Sequence, residues 1–82
     1  MFTVYALYSR TFDKVYVGFT SNLEQRMLSH TELGKKGWTI KYRPWELFHS
    51  EIFESKHDAM KREKELKSGK GREYLRGLLK DF

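Results

Sequence analysis

Apolar and polar positions along the chain change period several times, and each change marks an element. Residues 2–8 (FTVYALY) and 15–20 (VYVGFT) are rich in β-branched and aromatic types, as strands are. SRTFDK joins them with Asp13 as a turn former, so a β-hairpin is predicted. Alternation puts Val15, Val17 and Phe19 on one face of the second strand and Tyr16 and Gly18 on the other. Gly18 then leaves space beside Tyr16, since a glycine inside a strand marks a bulge or a close approach. Tyr5 and Tyr16 fall on adjacent strands, each a phenol that needs a polar partner if buried.

The period then lengthens to that of a helix. Ser21 and Glu24 make an S-x-x-E capping box, which predicts a helix opening at Ser21. On it Leu23, Met27 and His30 share a stripe, and Arg26 runs along the edge beside His30. TELGKKG ends this helix, with Gly34 or Gly37 as C-cap. After Pro44, WELFHSEIF is a third strand. Ser55 opens a second helix, with Asp58 three residues on, that runs to Ser68. SGKGR reads as a turn between helices, and EYLRGLLKDF as a last helix sending Tyr74, Leu75, Leu78 and Leu79 to the core. The order is ββαβαα: an α+β fold with a small three-stranded antiparallel sheet flanked by helices, one domain over residues 1–82.

Composition narrows the classes. At 82 residues the chain supports one modest core. Without cysteine there is neither a disulfide framework nor a thiolate zinc site. No segment reads as a membrane span or signal peptide, so a cytoplasmic protein with no membrane partner is expected. Sixteen Lys and Arg face eleven Asp and Glu, a net charge of +5. The excess gathers in two places. One is Lys35, Lys36, Lys41 and Arg43; the other spans residues 56–72 and includes Lys61, Lys64, Lys67 and Lys70. Basic regions around aromatic-rich strands suit a nucleic acid, although small domains also carry such charge for solubility.

Glu63 asks most insistently for an explanation, because it shares a helix face with Ala59 and Leu66. Burying an unpaired carboxylate costs several kcal/mol. It therefore either sits at the stripe's edge, paired with Arg26 or a lysine, or looks into a polar cleft and holds a hard cation such as Mg²⁺. Arg26 offers a planar fork of donors suited to phosphate, or is an ordinary surface arginine. His30 can carry protons near neutrality, or is a satisfied, partly buried histidine. His49 and His57 read as structural. Trp38, Tyr42 and Trp45 can stack on bases, but packing beneath the third strand is the simpler role. The G-x-x-x-x-G-K-[ST] spacing of a phosphate loop is absent from SGKGR.

Taken together, these residues resemble the GIY-YIG endonuclease family. Thr3-Val4-Tyr5 in TVYALYS stands for the first motif and Tyr16-Val17-Gly18 for the second. The family arginine matches Arg26 in YVGFTSNLEQR, and a histidine one turn on matches His30. RPWEL at 43–47 and AMKREKELK at 59–67 match the later segments, so the family's metal-binding glutamate falls on Glu63. Neither tripeptide is spelled as in the family name, and no asparagine follows Glu63 as in many of its nucleases. The resemblance implies a metal-dependent endonuclease acting on DNA, in repair or recombination, with Mg²⁺ or Mn²⁺ as cofactor. Tyr5, Tyr16, Arg26, His30 and Glu63 would form the site, with Tyr5 the favoured base. The rival expectation is a nucleic-acid-binding module that does not cut, or that cuts only beside a protein partner or a second copy.

Overall fold

The computed structural model describes residues 1–28 and 45–82, with only the backbone at 27 and 28. Strands β1 (Phe2–Ser9) and β2 (Lys14–Thr20) form the expected hairpin. They pair antiparallel with Val4 opposite Phe19, Tyr5 opposite Gly18 and Ala6 opposite Val17. Asp13 takes a positive φ of 53° in the turn, a conformation that aspartate tolerates better than most residues. Its carboxylate accepts hydrogen bonds from the Tyr8 hydroxyl, at 2.8 Å, and from Arg76 near the end of the chain.

Strand β3 (Glu46–Phe53) pairs antiparallel with the other side of β1, so the sheet order is β2-β1-β3 and β1 is central. A register shift opposite Ala6 and Leu7 pairs these residues with His49 and Leu47, leaving Phe48 as the extra residue of a bulge. The central position of β1 explains its sequence. VYAL in its middle is fully buried, because both faces of the strand are covered.

On one face Val4, Ala6 and Val17 pack against Ala59 and Leu66 of α2 (Lys56–Lys67) and Leu75 of α3 (Gly69–Leu79). Each fully buried leucine here contributes about 1.5–3 kcal/mol of burial. On the other face Tyr5, Leu7 and Trp45 form a second cluster with Tyr16 and with Leu23 of α1 (Leu23–Leu28). The order β-β-α-β-α-α is the one predicted, and helices lie on both sides of the sheet.

Three local expectations are corrected. Helix α1 is capped by Asn22 rather than Ser21: the Asn22 side-chain oxygen accepts from the Gln25 N–H at 3.1 Å. Thr20 holds that cap, its hydroxyl oxygen accepting from the Asn22 N–H at 3.1 Å. Asparagine is as good a cap as serine, so the motif alone could not choose between neighbours. GKGR, expected as part of a turn, is the first turn of α3, and Ser68 alone joins the two helices. The Ser68 oxygen accepts from the Gly71 N–H at 3.3 Å, while its hydroxyl donates to the Glu65 carbonyl at 2.6 Å. Gly71 is there for packing: a Cβ would lie 2.1 Å from the Glu65 carbonyl oxygen, inside backbone that cannot yield. Tyr74, expected in the core, is half exposed beside Arg62, while Leu75 next to it is fully buried. At the second helix Ser55 caps as predicted, accepting from the Asp58 N–H at 3.3 Å.

Among the described residues, no helix is long and apolar enough to cross a membrane.

Candidate functional site at the edge of strand β2

The register places Tyr5 directly across from Gly18, with Tyr16 on the diagonal. The space that glycine leaves is filled by Tyr5 itself. A Cβ at position 18 would meet the Tyr5 hydroxyl oxygen at 2.6 Å, its Cζ at 2.9 Å and Cε1 of Tyr16 at 3.1 Å. The Tyr5 ring therefore lies across Gly18, and its hydroxyl reaches towards the edge strand. The two phenol rings stack with centroids 6.2 Å apart and an interplanar angle of 28°. Trp45 meets Tyr16 edge-on, also at 6.2 Å, and is itself buried. Trp45 is thus packed in the core beside the tyrosine pair, the simpler of the two roles expected for it.

The electrostatics of Tyr5 show what else converges here. Burial is the largest influence and pushes its pKa well above that of a free phenol; the neighbouring Tyr16 adds to the rise. Arg26 of α1 opposes the shift, while a hydrogen bond with Tyr16 and the charge of Glu63 reinforce it. Helices α1 and α2 cover opposite faces of the sheet, yet a charge from each acts on this one hydroxyl.

Glu63 is largely buried, with its side chain 20% exposed, and its ion pair with Lys67 one turn on is loose at 3.7 Å. Arg26 is exposed. Among the described residues no three His, Asp or Glu side chains gather as a metal cluster. A partly open carboxylate held only by a loose pair with Lys67, one of the two arrangements expected for it, suits a hard ion that keeps several waters and takes further oxygens from a phosphate, as Mg²⁺ does; it would not suit zinc. The residues present fit the cofactor that the resemblance implies.

The other candidates divide by place. His30, Lys35, Lys36, Lys41 and Arg43 lie outside the described residues, as do Gly34, Gly37, Trp38 and Tyr42. Lys61, Lys64, Lys67 and Lys70 are all exposed. Lys64 and Lys70 line a shallow hollow with Arg62 and Tyr74; Lys67 lines a separate cleft with Tyr16. His49 belongs to a structural network: it meets Glu51 at 2.6 Å, and the Arg62 guanidinium donates to the same carboxylate at 2.9 Å.

Comparison with known proteins identifies the family. The model of the GIY-YIG catalytic domain matches residues 1–75. A UPF0213 protein of Natronomonas pharaonis is 42% identical over 68% of this chain and 66% of its own length. One from Limosilactobacillus reuteri is 44% identical over 73% of this chain and 64% of its own, and one from Staphylococcus haemolyticus 38% over 68% of each. The match thus spans about two thirds of the length of these relatives. No solved structure matches at the same level of significance. With the catalytic-domain match running from the first strand into the last helix, the chain belongs to the GIY-YIG family, a family of nucleases.

Proposed function

We propose that this chain hydrolyses DNA phosphodiester bonds at the β2 edge, using Tyr5, Tyr16, Arg26, His30 and Glu63. The observation that carries the reading is the field at the Tyr5 hydroxyl, to which Arg26 and Glu63 contribute from helices on opposite faces of the sheet. An arginine and a mostly buried carboxylate whose charges act on a stacked phenol pair are more than a packed core requires.

The two tyrosines divide the work by burial. Tyr5 is 1% exposed and burial raises its pKa, which suits it to orient phosphate or water as a hydrogen-bond donor better than to act as the base. Tyr16 is partly exposed and lies within hydrogen-bonding reach of Tyr5, which makes it the phenol to orient and deprotonate the attacking water. The water oxygen bonds to phosphorus as the bridging P–O bond breaks; the water's proton passes to Tyr16 and on to His30, and the leaving oxygen takes a proton from solvent. Arg26 donates to a non-bridging oxygen where charge accumulates. Glu63 would hold Mg²⁺, or Mn²⁺ in its place, together with water and the substrate phosphate; such an ion stabilises the leaving oxygen. In this reading the protein is cytoplasmic and serves DNA repair or recombination, cutting branched substrates in a structure-specific way.

Nicking of supercoiled and branched DNA with Mg²⁺ or Mn²⁺ tests this. Glu63→Ala and Arg26→Ala should each lower cutting by about 10²–10³-fold, the scale of losing one transition-state contact. Cutting that survives Glu63→Ala overturns the metal role. Binding without cutting supports instead a non-cleaving module, or a nuclease subunit that needs a protein partner or a second copy.

A further inference from the structure

Glu63 and Lys67 stand one turn apart on α2, and their ion pair, at 3.7 Å, is longer than a hydrogen bond. Among the described residues Lys67 is the one cation paired with the Glu63 carboxylate. Arg62, its neighbour in the helix, is turned to β3, where its Nε donates to both oxygens of Glu51, at 2.9 and 3.2 Å. Lys64 lines the shallow hollow that Tyr74 shares. A carboxylate taken out of water needs a compensating charge or hydrogen bonds. Glu63 has partial compensation, from one ammonium that does not reach it closely.

Several features suit this ammonium to let go. The Lys67 side chain is 54% exposed against 20% for Glu63, so water replaces the carboxylate around it at little cost. Its four-carbon stem is flexible and carries a point charge rather than a rigid fork. Lys67 also lies in the last turn of α2, where the helix dipole favours a cation whether or not Glu63 is its partner. The pair sits next to the candidate site, since Lys67 lines the cleft whose wall includes Tyr16, and the charge of Glu63 acts on Tyr5.

We propose that Lys67 is the counterion that holds the Glu63 carboxylate in the metal-free protein and gives it up when a divalent cation binds. The inference rests on the metal-ligand role of Glu63 in the nuclease reading. Lys67 is then a positioning residue, acting through Glu63: it compensates the carboxylate until the cation arrives, and it competes with that cation for the same oxygens.

The test is Mn²⁺ binding to the DNA-free protein, read from the loss of the free-ion electron paramagnetic resonance signal. Wild type is compared with Lys67→Gln, Lys67→Arg, Lys64→Gln and Glu63→Gln, and circular dichroism checks that each variant folds. Lys67→Gln should bind Mn²⁺ about 2–5-fold more tightly, the scale of losing an exposed ion pair. Lys67→Arg keeps the charge and should bind no more tightly than wild type. Lys64→Gln removes the same charge from a neighbouring surface position and should change the affinity less. An affinity unchanged or weakened in Lys67→Gln, or raised as much in Lys64→Gln, overturns the proposal. The metal role of Glu63 survives that result if Glu63→Gln still binds more weakly than wild type. Equal binding by Glu63→Gln and wild type, or none by either, overturns both.

Discussion

Gly18→Ala is the sharpest test of how the site is built, because it adds one methyl group between two phenols. The new Cβ would lie 2.6 Å from the Tyr5 hydroxyl oxygen and 2.9 Å from its Cζ, both closer than real Cβ atoms approach. Tyr5 cannot swing aside, since it is 1% exposed and packed with Leu7 and Trp45. Overpacking of this kind costs about 1–3 kcal/mol. Alanine recovers about 0.4–1 kcal/mol by restricting the unfolded chain. The net loss is therefore about 1–2 kcal/mol, or roughly 5–15 °C in Tm for a domain of this size. Activity should fall further, about 10²-fold, because moving the phenols by about 1 Å spoils the alignment of the water. A double-mutant cycle makes the reasoning specific. Tyr5→Phe removes the atom nearest the new methyl and leaves Cζ as the closest contact, so Gly18→Ala should cost about 0.5–1 kcal/mol less in that background. Urea unfolding of the four proteins measures the coupling. A neutral Gly18→Ala, or equal costs in both backgrounds, would mean that Tyr5 does not lie across the glycine.

Two further predictions concern the supports of the site. Asn22→Ala should cost about 1 kcal/mol in thermal unfolding while Ser21→Ala costs little, since Asn22 is the cap of the helix that carries Arg26. Glu51 tests the network on the far side of α2. Partial burial opposes ionisation there, but hydrogen bonds from Arg62 and His49 hold its pKa below the ordinary glutamate value. A depressed folded pKa stabilises the protein above the unfolded pKa of about 4.3 and loses that stability as pH falls through the folded value. Glu51→Gln should therefore lower Tm at pH 6 and flatten its fall below about pH 4.5, as followed by thermal melts across pH 3–7.

Much of this protein is written locally. Period and β-branched content locate the strands, Ser55 marks its helix, and Ala59 and Leu66 identify the buried face around Glu63, because each of these depends on neighbours a few residues away. The unbroken run VYAL also records that β1 is covered on both faces. Where two neighbouring residues offer equivalent chemistry, as Ser21 and Asn22 do, local pattern cannot choose; the hydroxyl of Thr20, placed by the end of the strand, decides. Gly69 and Gly71 read as a break in the helix because their propensity is poor, whereas the contact that requires Gly71 is with backbone of the preceding helix.

The site divides in the same way. Tyr5, Tyr16, Gly18, Arg26 and Glu63 can be singled out as residues that a plain core does not need. That Tyr5 rather than a polar group fills the space over Gly18 follows from the cross-strand register, which no single strand contains. That Tyr5 is held protonated follows from burial beneath Trp45, forty residues away in the chain. That the charges of Arg26 and Glu63 both act on the Tyr5 hydroxyl depends on how helices α1 and α2 pack against the sheet. Sequence therefore determined which groups were present and which element carried each; only packing decided their distances and their burial.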